Sequence, residues 1–197
     1  MSAGLSARCP GLPCFGSDAT ARYDARVTTR DQAIRLLEDQ HAEVAALLAE
    51  LDTSAFERRG TIGGGEWSAK DLAAHLGAWE GFVLEVIDAF GRGERPAFED
   101  EFLEPGATDR LNAREEQRFL DAPTDEVLAR FEDLHRSVVG VIRSMSDDGW
   151  AAAYPYDPDD ATIGDRVGSL LGSDDGRFRH ASAHLPDLRA YVDSIRP

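Results

Sequence analysis

Lysine is nearly missing from this 197-residue chain: of its 21 basic residues only Lys70 is a lysine. Basic residues of either kind are in turn outnumbered by 37 Asp and Glu, which leaves a formal net charge of −16. A deficit of that size argues against a broad phosphate-binding face and against docking on anionic lipid. Neither nucleic acid nor a membrane is therefore expected as a partner. The preference for Arg over Lys reads as GC-rich coding rather than chemistry. Cysteine is almost as scarce. Cys9 and Cys14 are the two, and their C-x4-C spacing matches neither a redox C-x-x-C nor half of a zinc site. The rest of the chain has none, which suits a reducing, cytoplasmic setting.

Long apolar runs are missing as well, and nothing approaches the ~18–20 residues of a membrane span. The N-terminal MSAGLSARCPGLPCFGSD has no continuous apolar stretch of the kind a secretory signal carries. No segment alternates at period two for long enough to make a strand. Gly63-Gly64-Gly65 is neither preceded by a strand nor followed by Lys-Ser/Thr, so it is a flexible turn and not a phosphate loop. What remains is 42% hydrophobic and 29% charged, an ordinary globular composition. A chain of this size buries roughly 70% of its unfolded surface, enough to fold without a disulfide or metal staple.

Residues 1–27 carry Gly, Pro and Ser without periodicity and read as a disordered or loosely held extension. A single domain is expected over 28–197. Thr29 and Gln32 form a capping box, followed by Ile34, Leu37, His41, Val44, Leu48 and Leu51 at spacings of three and four. Ser68 and Asp71 form a second box, with Trp67 placed to staple it. The stripe behind it is Leu72, His75/Leu76, Trp79, Phe82/Val83, Val86/Ile87 and Phe90, stopped by Gly91, Gly93 and Pro96. Residues 94–108 read as a solvated acidic loop. A short helix over 109–120 precedes a long one from Thr124, with Val127, Phe131, Leu134, Val138, Ile142 and Met145 on its face. A loop over 150–161 and a short helix from Thr162 to Leu171 follow. A last helix is expected to begin at Asp174-Asp175 and to run to about Ile195. Pro186 is expected to bend it, because it cannot donate to the Ser182 carbonyl. Four major amphipathic helices predict an all-α four-helix bundle with short extra helices.

Chemistry concentrates in the five histidines. His180 and His184 are four residues apart, so they share one helical face. That face continues through Leu188, Tyr191 and Ile195, which turns the pair into the bundle. Inward imidazoles in an apolar core need partners. His75, on the apolar face of its own helix, is the best third member, provided the two helices run parallel and bring the three to one level. Three neutral nitrogens without a thiolate suit a divalent ion with open positions, closer to a catalytic than to a closed structural site. Such an ion lowers the pKa of a bound water or thiol. By spacing alone, metal and non-metal readings of the set are evenly matched. His41 reads as a core or supporting histidine, and His135 as lying at the edge of its stripe. No nucleophile or general base stands out, and the carboxylates read as exposed.

The segments EWSAKDLAAHLGAWE, GRGERP and RHASAHLPDLRAY, in that order and separation, resemble the DinB/YfiT-like superfamily. That group includes the N-terminal domain of mycothiol-dependent maleylpyruvate isomerase and the bacillithiol transferases. The resemblance runs from about Thr29 to Pro197. It implies an up-down-down-up four-helix bundle and a divalent metal, zinc or nickel, held by His75, His180 and His184. It also implies an enzyme of S-transferase or isomerase type, with a small-molecule thiol, mycothiol by the GC-rich composition, and an electrophile as partners. A homodimer is in keeping with such bundles. The chain ends at Pro197 without room for the second domain of the isomerase, which puts that particular activity in doubt. The ClbS/DfsB relatives share the bundle and can lack the histidines. They supply the alternative of a non-catalytic metal- or ligand-binding bundle with a self-resistance or sequestering role.

Overall fold

A computed structural model describes residues 28–63, 67–102, 104–157 and 159–196. The expected extension over 1–27 lies outside the described residues. Nine helices and no strands are present among the described residues: α1 (Arg30–Leu48), α2 (Thr53–Phe56), α3 (Ala69–Gly91), α4 (Glu99–Phe102), α5 (Ala107–Phe119), α6 (Thr124–Ser144), α7 (Asp147–Trp150), α8 (Ile163–Leu170) and α9 (His180–Ile195). No helix among the described residues is long and apolar enough to cross a membrane.

Local chemistry starts the helices where the sequence predicts. Thr29 and Gln32 cap α1 reciprocally, and Ser68 and Asp71 do the same for α3. Each box satisfies amides that would otherwise be orphaned at a helix N-terminus. A third box, Thr162 with Asp165, opens α8.

The four long helices close a ring, with α1 and α3 each packed on α6 and α9. Their directions follow from side-chain ties. Gln40, midway along α1, bonds Ser182 N at the start of α9, and Glu50 pairs with Arg196 at its end, so α1 and α9 run the same way. Lys70 reaches the Leu120 carbonyl just before α6, and Glu80 meets His135 further along, so α3 and α6 run together. Arg30 at the start of α1 bonds the Met145 carbonyl at the end of α6, so the two pairs oppose each other. This is the up-down-down-up bundle.

Three expectations are corrected. First, α9 begins at His180, not at Asp174-Asp175. Residues 173–176 instead close a turn through the Ser173–Gly176 bridge. The negative charge therefore sits on a turn and not on a helix dipole. Second, the condition set for the three histidines to meet, that α3 and α9 run parallel, is not needed: the two are antiparallel, as the up-down-down-up order requires. Their histidines still meet, because α9 starts partway along the bundle, opposite the second turn of α3. Third, 94–108 is not a solvated loop. It contains α4, and Glu99 in it is only 3% exposed. Arg166 and the Tyr154 hydroxyl both bond Glu99, which is why a carboxylate can be buried there. α9 runs unbroken through Pro186.

The core is two apolar clusters stacked along the bundle. One holds Ile34, Leu37, Val83, Val138, Ile142 and Phe178. The other holds Val44, Leu72, Val127, Phe131, Leu188 and Val192. The stripes cross from one cluster to the other between Leu37 and Val44, Leu76 and Trp79, Phe131 and Val138, and Phe178 and Leu185. Four of the five histidines fall in those intervals, and His75 lies one residue before its own. The bundle thus carries a polar seam across the middle of its core.

Candidate functional site

The seam holds two clusters. In the first, His75 from α3 meets His180 and His184 from α9. Leu72 and Leu76 pack inward, which turns His75 inward with them. His180 is placed by the turn before it. Phe178 adopts a left-handed backbone at φ 59°, its carbonyl accepts from Gln40 Nε2, and His180 N donates to the Leu171 carbonyl. A non-glycine residue holds such a conformation only when its surroundings over-determine it. The same Gln40 accepts from Ser182 N, so one α1 side chain grips both ends of the α9 entry.

His75 Nε2 lies 2.8 Å from His180 Nε2. The three rings stand edge to face, with centroids 4.7 Å (His75–His180), 5.2 Å (His75–His184) and 5.3 Å (His180–His184) apart. One nitrogen from each lies within 4.8 Å of the other two. Nitrogens held about 2.1 Å from one tetrahedral ion stand roughly 3.4 Å apart, so the set has the right span for a single ion. His184 Nε2 is buried and has no hydrogen-bond partner. Burial, with the neighbouring imidazoles, holds His75 and His180 well below the usual histidine range. Burial lowers His184 to about 4. All three are neutral near pH 7, the form in which an imidazole offers a lone pair. Trp67 lies 4.9 Å from the His75 ring and Trp79 lies 5.7 Å from His180, walling the cluster with indoles. Trp79 is fixed by its Nε1 donating to buried Asn112.

The second cluster joins residues that the sequence did not connect. His135 is buried rather than at an edge, and its Nδ1 lies 2.8 Å from Glu80 Oε1. His41 stacks on it face to face, with centroids 3.7 Å apart, and its Nε2 meets Glu132 at 3.2 Å. Neither His41 nor His135 joins the three-histidine set. Burial raises the pKa of Glu80, and its Oε2 is a second buried atom without a partner. Burial, then the neighbouring His135, lowers the pKa of His41. A small cavity of about 30 Å³ touches both clusters, with His41, Glu80 and His180 in its wall. The reading of the carboxylates as exposed is therefore corrected at Glu80, which is only 8% exposed. Its signal was an acid inside the otherwise apolar run AHLGAWEGFVL. Gln40 had no signal beyond its place next to His41.

A histidine-lined, all-helical bundle is the class that this fold and seam define. A sequence model of the DinB superfamily matches residues 61–172, more than half of the chain, and the chain belongs to that superfamily. The match includes His75 and stops before His180 and His184. No curated protein matches the chain. Among solved structures, an uncharacterised protein from Escherichia coli UTI89 is similar at 15% identity and TM-score 0.71, over 85% of this chain and 94% of its own. The colibactin self-resistance protein ClbS, in complex with a dsDNA, is similar at 19% identity and TM-score 0.64, over 85% of this chain and 95% of its own. At these identities the likeness is one of fold. It nonetheless overturns the exclusion of nucleic acid. Net charge is a sum over a whole surface, whereas phosphates are met by a few local side chains. A total of −16 is no ground for ruling out a partner that is bound by another protein of this fold.

Proposed function

We propose that the chain binds a divalent metal, zinc or nickel, through His75, His180 and His184, and acts on a low-molecular-weight thiol such as mycothiol in an S-transfer or isomerisation. The observation that carries this reading is the buried, unpartnered Nε2 of His184 beside two further neutral imidazoles. A buried polar atom without a partner is costly, and an ion on the three nitrogens removes that cost. When bound, the ion supplies positive charge that lowers the pKa of a thiol or water. The other residues do the rest. Trp67 and Trp79 keep water from the cluster. Gln40 sets the start of α9 and so the spacing of its two histidines. Glu80, with its proton affinity raised by burial and one oxygen uncommitted, is placed to take a proton by way of the cavity it shares with His180.

Elemental analysis after reconstitution tests the binding half. The expected result is one divalent ion in wild type, none in His184→Ala and one in His135→Ala. Thiol consumption across a panel of electrophiles, with and without metal, tests the reaction. Metal binding without turnover of any thiol removes the enzyme and keeps the site.

A second reading rests on the likeness to ClbS: a non-catalytic bundle in a self-resistance or sequestering role, with dsDNA among its ligands. Fluorescence anisotropy with a labelled duplex across a salt series separates it, since phosphate contacts show as a steep fall with salt.

A further inference from the structure

Arg118, at the end of α5, and Arg130, in the second turn of α6, converge on one ring. Their guanidinium carbons lie 5.3 and 5.0 Å from the centroid of Phe119. Elsewhere in this acidic chain, arginines drawn in from solvent have acceptors: Arg30 on the Met145 carbonyl, Arg166 on Glu99, and Arg177 on Asp160 and Asp165. Arg130 is half-buried and has neither a hydrogen bond nor an ion pair among the described residues, and its Nε is buried without a partner. Burial, then the charge of Arg118, lowers its pKa. The guanidinium reaches over Gly81 of α3, where a Cβ would stand 3.9 Å from Nη2. The pair opens on a groove of about 520 Å³, floored by Phe119 and Leu134 and edged by Ser137.

Of the nearby carboxylates only Glu115 attracts Arg130, and that attraction is smaller than the opposing effects of burial and Arg118. Asp133 bonds Arg136 at 2.7 Å, and Glu115 is shared between Arg114 at 3.7 Å and Arg118 at 3.6 Å. Glu126, also in the groove wall, is exposed to solvent. A half-buried cation without an acceptor is costly. A guanidinium presents a fork of donors that matches a planar or tetrahedral oxyanion, and the ring and leucine beneath it suit an apolar body. The geometry points to the Arg118–Phe119–Arg130 groove as a binding site for a small organic anion that carries a phosphate or carboxylate on an apolar body. The site is separate from the histidine centre and does not depend on the metal.

Calorimetric titration of the full chain, free of metal, with phenyl phosphate, benzoate and inorganic phosphate tests this. One of the two aromatic anions should bind more tightly than inorganic phosphate, and which one does identifies the head group. Arg130→Met should weaken that binding roughly ten- to hundred-fold, the loss expected of a charged hydrogen bond. Arg118→Met serves the same purpose if the first variant does not fold. Arg35→Met, an exposed arginine on α1, and His184→Ala should leave the binding unchanged. The proposal is overturned if no probe binds wild type at millimolar concentration, or if both Arg variants bind as wild type does. It also fails if the loss follows His184→Ala instead.

Discussion

Glu99, Arg166, Asp160, Arg177 and Asp165 form one buried or half-buried polar region, and the histidine seam forms another. In the first, charges of opposite sign stand together. Arg166 bonds Glu99 at 2.9 Å and Asp157 at 3.0 Å, while Arg177 spans Asp160 at 2.9 Å and Asp165 at 2.7 Å. In the second, imidazoles face imidazoles, and both His184 Nε2 and Glu80 Oε2 are left over. A region that pairs its charges with one another holds α4, the loop before α8, and α8 together; even Glu99 Oε2, which is buried without a hydrogen bond, has the Arg95 guanidinium 3.6 Å away. A region that leaves lone pairs unspent in the core is, on the reading proposed above, where an ion is held. Burial depth is similar in the two, so pairing is what separates structure from site.

The comparison breaks most sharply at Arg166. Arg166→Ala strands Glu99 and Asp160 without their shared guanidinium and should cost about 3–5 kcal/mol in urea unfolding. His184→Ala, at comparable depth, should leave the metal-free protein near wild-type stability at neutral pH, because it removes an unsatisfied atom. If the two variants cost the same, pairing does not distinguish the regions.

Acid should discriminate next. His184 has a folded pKa of about 4, below the ordinary value, so below pH 6.5 the unfolded chain takes up the proton first. Stability is then full above about pH 6.5 and falls as pH drops toward 4, by up to roughly 3 kcal/mol for this one group. Denaturation at pH 7 and pH 4.5 should show a shallower slope in His184→Ala than in wild type. An unchanged slope would mean that the ring is not buried neutral.

Packing under the paired region gives a smaller effect. A Cβ at Gly168 would lie 2.6 Å from the Phe178 ring, so Gly168→Ala should cost about 1–3 kcal/mol. Because Phe178 leads into His180, the same variant should weaken metal uptake measured by elemental analysis. A full loss of stability with no change in uptake would uncouple the two regions. The smallest effect is expected at the start of α3, where Ser68→Ala removes a cap for about 1 kcal/mol in thermal melts and should leave metal uptake intact.

Much of this was legible in the chain. Both predicted capping boxes are in place, because a box is settled by residues three apart. The apolar stripes of α1, α3 and α6 pack as read, because helical periodicity is a local property. His180 and His184 share a face for the same reason, and His75 is inward because its neighbours Leu72 and Leu76 are. The start of α9 was misplaced, because two aspartates suit a turn as well as a helix dipole. The choice fell to Gly168, whose carbonyl receives Phe178 N, and to Leu171, whose carbonyl receives His180 N.

Sequence alone determined that this chain is helical, which faces of its helices are apolar, and that three particular histidines lie on those faces. Each follows from spacing within about seven residues, the range over which one helix turn constrains the next. Only the tertiary structure decided that α3 and α9 run in opposite directions and still bring those histidines together. Only it brought Glu80 to His135, Glu99 to Arg166, and Arg118 and Arg130 to one ring. Those pairs stand from 12 to 67 residues apart in the chain, and no local pattern records which helix will come to lie against which.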